Sequence, residues 1–378
     1  MPYKKEFEVY ETGVNQFFGY YDRSQFNQRG EGLYCRGADE FSKFDICIWD
    51  PQRGSSQTIF ETSAVGYQLG NLNSWLSQEE VVVHSRVGDD ICAHIVSTSN
   101  GAIIDTMDSA CYAVYKGLGV LYKIENAGLD RPAYGLGAAA QKSNTVRLYD
   151  FEKHAVLYSL DSDKIGTFLG GQAHWYMEHC CFLNSQALLL LYRTSVHLSG
   201  EKKEALLLWN FEEDKITRFG DFSKMSHFKG ADDVALLFGS KTNISRLGWL
   251  KNMVKKVPAL DRLRTNPQIR DRVVGESYWR FKDGGFDRIK FFRDGHPTRV
   301  NDGFVFDTYE TPETVRELYY LSDNQDLPQR ICTVPSCVET DSTPQRTDLH
   351  PRALSCGSGF SIDFIRNGSR GFAVFRVE

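Results

Sequence analysis

Short apolar runs separated by polar turns recur along the whole chain: EGLYCRG, DICIWD, EEVVVHSR, TVRLYDF, ALLLLYR, EALLLWNF, VALLFG, GFVFDTY, ELYYLS and GFAVFRV. Each is rich in β-branched and aromatic residues and bounded by Gly, Asn, Asp or Ser, the pattern of a strand between turns. Strands at such short intervals over 378 residues predict an all-β fold that is closed or radially repeated. Aligning the chain on four histidines exposes the repeat: HCCFLNSQALLLLYR from His179, HFKGADDVALLFG from His227, HPTRVNDGFVFDTY from His296 and HPRALSCGSGFSIDF from His350. The separations of 48, 69 and 54 residues match the roughly 40 to 50 residues of a four-stranded propeller blade, with an insertion in the longest. Weaker copies begin near Gly19 and Gly70, and a degenerate one spans about 110 to 160, which predicts a single seven-bladed β-propeller over residues 1–378. The last repeat, 346–378, has too few strands alone. The N-terminal KKEFEVYE therefore completes its sheet and closes the ring.

The long interval contains residues 241–275, whose pattern is helical until Pro258 interrupts it. Nine Lys and Arg against Asp261 and Asp271 give this stretch a charge of +7 inside a chain of net charge −5. A basic amphipathic insertion suits contact with an acidic polymer, a membrane surface or a glycosyltransferase, and equally a helical cap with a solvated face. The negative overall charge excludes the basic face that nucleic acid needs, so no nucleic-acid partner is expected. The first residues lack the apolar run of a signal peptide and no stretch of about 18 apolar residues occurs, which together predict a cytoplasmic protein. Nine cysteines without metal-binding spacing read as reduced thiols, several of them inside apolar strands.

Equivalent positions of successive blades fall on one face, so His179, His227, His296 and His350 are predicted to converge on the central channel. A lone histidine beside a strand is ordinarily a hydrogen-bonded structural residue. Four in register around one axis are costly to desolvate unless they bind a metal or carry out chemistry. Charged groups lie on the same flank: Arg86 and Arg193 after inner strands, Asp307 in FDTYE, and Arg346 and Asp348 in RTDLHPR. Tyr20, Tyr21, Trp75, Tyr134, Trp175 and Tyr176 cluster near the loops, where rings with Arg and His suit an acidic sugar and core packing is the plainer use.

The motifs FFGYYDRSQF, RPAYG, HWYMEHCCF with LLYR, SHFKGADD, GHPTRVNDGFVFDTYET and RTDLHPR together resemble the propeller family of oligogalacturonate and ulvan lyases, with relatives linked to bacterial polysaccharide metabolism. The chain departs from that family in its turns and in Tyr192, where relatives tend to carry His before the arginine. The resemblance implies β-elimination on a uronate-containing oligosaccharide. It assigns His179 or His174 as base, Arg193 as the partner of the substrate carboxylate, and Tyr134 or Tyr21 as acid. Tyr21, Arg86 and Arg346 would bind substrate; His227, His296 and His350 would hold a divalent metal such as Mn or Zn, with Asp348 orienting them. The alternative is a non-catalytic glycan- or protein-binding propeller serving cell-surface polysaccharide biosynthesis.

Overall fold

The computed structural model describes residues 3–377 except 24, 39–42, 67–68, 89, 124–144, 171–174, 195–202, 242–275, 310–314 and 336–347. They form seven four-stranded antiparallel sheets, each a propeller blade. The N-terminal strand β1 (Tyr3–Val9) is the exception to chain order, and its partner comes from the other end of the chain. Blade one holds β2 (Asn15–Phe17), β3 (Gly32–Gly37), β4 (Phe44–Asp50) and β5 (Ser55–Thr62); blade two holds β6 (Ser74–Trp75), β7 (Glu80–Val87), β8 (Asp90–Ser97) and β9 (Ile103–Met107). Blade three comprises β10 (Ala110–Tyr115), β11 (Leu118–Tyr122), β12 (Val146–Asp150) and β13 (Ala155–Leu160), followed by the one described helix, α1 (Ser162–Leu169). Blade four is β14 (Trp175–Phe182), β15 (Ala187–Thr194), β16 (Glu204–Asn210) and β17 (Lys215–Arg218). Blade five is β18 (Phe222–Ala231), β19 (Val234–Lys241), β20 (Glu276–Lys282) and β21 (Gly285–Ile289). Blade six is β22 (Pro297–Val300), β23 (Gly303–Asp307), β24 (Val315–Ser322) and β25 (Gln329–Pro335). Blade seven joins β26 (Arg352–Ala353), β27 (Gly359–Arg366) and β28 (Ser369–Val377) to β1, which pairs antiparallel with β28 from Tyr3↔Val377 to Val9↔Phe372. The chain ends thus close the ring in the way the short last repeat requires.

Burial explains why the second strand of a blade reads as an unbroken apolar run. Every residue of β15 is buried, because neighbouring blades cover both of its faces. Strand periodicity divides them: Leu188, Leu190 and Tyr192 pack toward blade three, and Leu189 and Leu191 toward blade five. Outermost strands alternate or stay exposed, as in β5 and β25. Tyr192, at the position where histidine was expected from the family, is fully buried in the seam with blade three and does not reach the channel side chains. Apart from Lys241, the expected insertion lies outside the described residues. Among the described residues no helix is long and apolar enough to cross a membrane.

If β1 closes the ring, deleting residues 1–10 leaves the β28 edge unpaired and strips cover from the last blade. Thermal unfolding should then begin roughly 10 °C lower, well beyond the effect of one core truncation in a chain of this size. An unchanged melting curve would show that blade seven holds without its fourth strand.

Candidate functional site

Four inner strands deliver histidines to one place. His179 sits within β14 and His227 within β18, while His296 and His350 immediately precede β22 and β26. The rings of His227, His296 and His350 form a chain across blades five to seven, with centroids 4.2 Å apart for His227–His296 and 4.3 Å for His296–His350. All four are nearly buried.

The centre of this group is filled by the first blade itself. The connection from β2 to β3 dives into the channel, which demands an unusually close backbone crossing. At Gly19 (φ +106°) a Cβ would lie 2.6 Å from the Leu69 carbonyl oxygen, so only glycine passes. Asp363 fixes the crossing by accepting the Phe18 and Gly19 amides at 3.1 and 3.3 Å, and Arg352 pairs with Asp363 at 2.7 Å. Just beyond, Tyr20 and Tyr21 stand among the histidines: Tyr21 lies 5.2 to 6.2 Å from all four rings, and Tyr20 lies 5.1 Å from His350 and 5.4 Å from His179. The Tyr21 hydroxyl donates to the Phe228 carbonyl at 2.9 Å and stands 3.2 Å from His179 Nε2.

Each imidazole has a different partner. His179 faces Tyr21 on one side and Asp22, 3.4 Å from its Nδ1, on the other; burial drives its pKa down to about 4, Asp22 only partly opposing. His227 turns Nδ1 to Asp294 at 2.9 Å and Nε2 to the Tyr309 hydroxyl at 3.3 Å. Burial lowers its pKa and Asp294 pulls the other way, so His227 is neutral at physiological pH. His296 presents Nδ1 to Asp307 at 3.0 Å; burial pushes its pKa down, but the Asp307 carboxylate outweighs this and the pKa ends raised. His350 adopts a left-handed backbone (φ 44°), and its Nε2 is buried with no hydrogen-bond partner among the described residues. Burial and then His296 hold its pKa well below normal.

One set of these groups has the chemistry of a cation site. His296, Asp348 and His350 are all buried, and each offers a ligand atom within 4.8 Å of the other two. Two imidazoles and a carboxylate suit Mn or Zn. The orphaned Nε2 of His350 and the Asp307 bond to the far nitrogen of His296 fit metal ligation, where the second ring nitrogen is normally anchored by a carboxylate. The composition of the set differs from the three histidines expected from sequence. Asp348, expected to orient ligands, itself offers a ligand atom in this set while its carboxylate also accepts from Arg316 at 2.5 Å, and His227 turns both nitrogens to Asp294 and Tyr309.

Arg193, expected to pair with a substrate carboxylate, is already engaged by the protein. Its guanidinium is clasped by Glu178 at 3.0 Å and Glu204 at 3.2 Å and donates to the Met225 carbonyl at 3.0 Å. Two carboxylates already neutralise it, so pairing with a substrate carboxylate requires displacing one of them. Arg86 donates to the Ser63 carbonyl at 2.8 Å, a contact between blades rather than in the histidine group. His174, Tyr134 and Arg346 lie outside the described residues. Sequence reasoning missed Asp294, Tyr309, Asp22, Glu178 and Glu204. The first two had a readable signal, since Asp294 stands two residues before His296 and Tyr309 two after Asp307.

No protein-family model and no curated protein matches the chain. Among solved structures, an oligogalacturonate lyase from Vibrio parahaemolyticus superposes with a TM-score of 0.61 and 11% identity over 100% of this chain and 96% of its own. An acylaminoacyl peptidase from Pyrococcus horikoshii gives 0.51 and 9% over 95% of this chain and 52% of its own, and a prolyl endopeptidase gives 0.51 and 10% over 95% and 51%. These likenesses show the propeller fold, which lyases and peptidases share.

The depressed pKa of His179 sets a pH dependence. Its unfolded form takes up a proton near pH 6.5 and its folded form only near pH 4, so the stability it contributes is lost as pH falls through this window. The urea midpoint should drop between pH 7 and pH 5, and His179→Gln should flatten that slope. Equal slopes for both proteins would contradict a neutral buried His179.

Proposed function

We propose that this propeller is a lyase that cleaves an acidic, uronate-containing oligosaccharide by β-elimination. The observation that carries the reading is the His296, Asp348 and His350 donor set lying beside the His227–Asp294 pair. A divalent ion held by His296, Asp348 and His350 would supply positive charge to the substrate carboxylate, acidifying the neighbouring C–H.

Protein groups do the rest. His227, neutral and aligned by Asp294 on Nδ1, takes the proton from the carbon bearing the carboxylate. The electron pair of that C–H bond becomes the new carbon–carbon double bond, and the bond from the adjacent carbon to the glycosidic oxygen breaks. The departing oxygen takes a proton from Tyr309, whose hydroxyl stands 3.3 Å from His227 Nε2, so the proton gained by His227 restores the tyrosine. His179, held behind Tyr21 at the channel centre, supports the wall of the site. This reading takes His227 rather than His179 or His174 as base, and Tyr309 rather than Tyr134 or Tyr21 as acid.

A second reading, a non-catalytic glycan- or protein-binding propeller for cell-surface polysaccharide biosynthesis, is favoured by the Glu178 and Glu204 clasp on Arg193. In that reading the basic residues 241–275 meet a membrane or a glycosyltransferase.

Offering uronate oligosaccharides with added Mn should produce the ultraviolet absorbance of an unsaturated uronate. His227→Ala should lower kcat roughly 10²- to 10⁴-fold with metal content unchanged, whereas His350→Ala should lose the metal. Wild-type protein that binds metal but forms no product from any uronate would move the function to the second reading.

A further inference from the structure

The inner strands run from the histidines to the opposite mouth of the channel, and a second site lies there. A cavity of about 400 Å³ opens among the last residues of β14, β18 and β22 and the turn after β26, and Tyr21 and Arg23 form its floor. It uses none of the four histidines.

Asp22 and Arg23 stand 3.3 Å apart as an ion pair whose side chains are fully buried, and neither makes a side-chain hydrogen bond among the described residues, so both face the cavity from beneath its surface. Arg299 is clasped by both oxygens of Asp323 at 2.6 and 2.7 Å. Asp232, at the rim, accepts from the Tyr115 hydroxyl at 2.9 Å and stands 3.6 Å from Lys116 Nζ. Lys229 is different. Two residues beyond His227 on β18, its ammonium makes one hydrogen bond among the described residues, to the Asp22 carbonyl at 3.1 Å. An ammonium carries three donors, so two remain for a ligand, and among the described residues no carboxylate side chain is paired with it.

The remaining wall mixes an aromatic edge with small polar groups. Tyr115 stacks on Phe182 with centroids 5.4 Å apart and has Lys116 Nζ over its ring at 4.8 Å, so it offers its edge to the cavity, and Asn301 and Ser355, whose hydroxyl donates to the Asn27 carbonyl, line the other side. The volume lies at the lower end of small-molecule sites, which take about 300 to 1,000 Å³. A cation for one carboxylate, a ring edge and hydroxyl-binding groups in a space of that size describe one chemical class. We propose that this mouth of the channel binds a single sugar acid, its carboxylate on Lys229, at a site separate from the histidine cluster.

Two features make the proposal testable without depending on the lyase reading. Cys356 lines the cavity and is exposed, and although burial pushes its thiol up, the Ser358 hydrogen bond and Arg376 bring it below the ordinary value. It therefore reports occupancy through its rate of alkylation. Calorimetric titration of the protein as purified with glucuronate should show binding, with neutral glucose much weaker. His350→Ala, which disrupts the other site, should still bind glucuronate, and adding Lys229→Met in that background should weaken it roughly tenfold to a hundredfold. Glucuronate should also slow alkylation of Cys356 in the unmutated protein, read by peptide mass spectrometry, which decides the matter even if Lys229→Met does not fold. Binding by His350→Ala protein that survives the added Lys229→Met, or that is lost in His350→Ala without protection of Cys356, would overturn the second site. Absence of any glucuronate binding would overturn it as well.

Discussion

One buried carboxylate organises the centre of this propeller. Asp307, the last residue of β23, is fully buried, a costly position for a charge unless hydrogen bonds replace its water. It accepts the His296 amide at 2.6 Å, the His350 amide at 3.1 Å and His296 Nδ1 at 3.0 Å. It thereby ties the entry of blade six to the entry of blade seven and sets which nitrogen of His296 faces the channel. Gly295 belongs to the same constraint, because a Cβ there would lie 1.8 Å from the Asp307 carbonyl oxygen. The strained His350 backbone follows from it too, since its amide must reach that carboxylate.

The second organising feature is the stretch from Phe18 to Arg23, which enters the channel among the histidines. Asp363 and Arg352 hold its base, and Tyr21 at its tip touches the histidines on one side and the Lys229 cavity on the other. The channel is thus divided into two chemically distinct ends. The metal-capable group and the His227–Asp294 pair lie at one end, and the cavity lined by Lys229 lies at the other.

Much of this was legible in the sequence because propeller symmetry turns repetition into proximity. Histidines 48 to 69 residues apart become neighbours once each is placed at an inner strand. Blade count and ring closure followed from strand spacing and from a last repeat with too few strands. What escaped was the identity of partners across blades. Nothing local to Arg193 shows that Glu178 and Glu204 claim it, because the three meet only when β14, β15 and β16 pair. The exchange of His227 for Asp348 in the donor set likewise depends on where Asp294 and Tyr309 come to rest. The plug was hidden for a related reason: nothing local to FFGYYDRSQF shows that it turns inward, and only the Gly19–Gly70 crossing sends it there.

The central claim is that His296, Asp348 and His350 hold a divalent ion beside a neutral His227. Anomalous diffraction from crystals soaked in Mn tests it most directly. A single anomalous peak within bonding distance of both imidazoles and the Asp348 carboxylate, with His227 still on Asp294, is the expected result. A peak elsewhere, or a site in which His227 leaves Asp294 to become a ligand in place of Asp348, would contradict it.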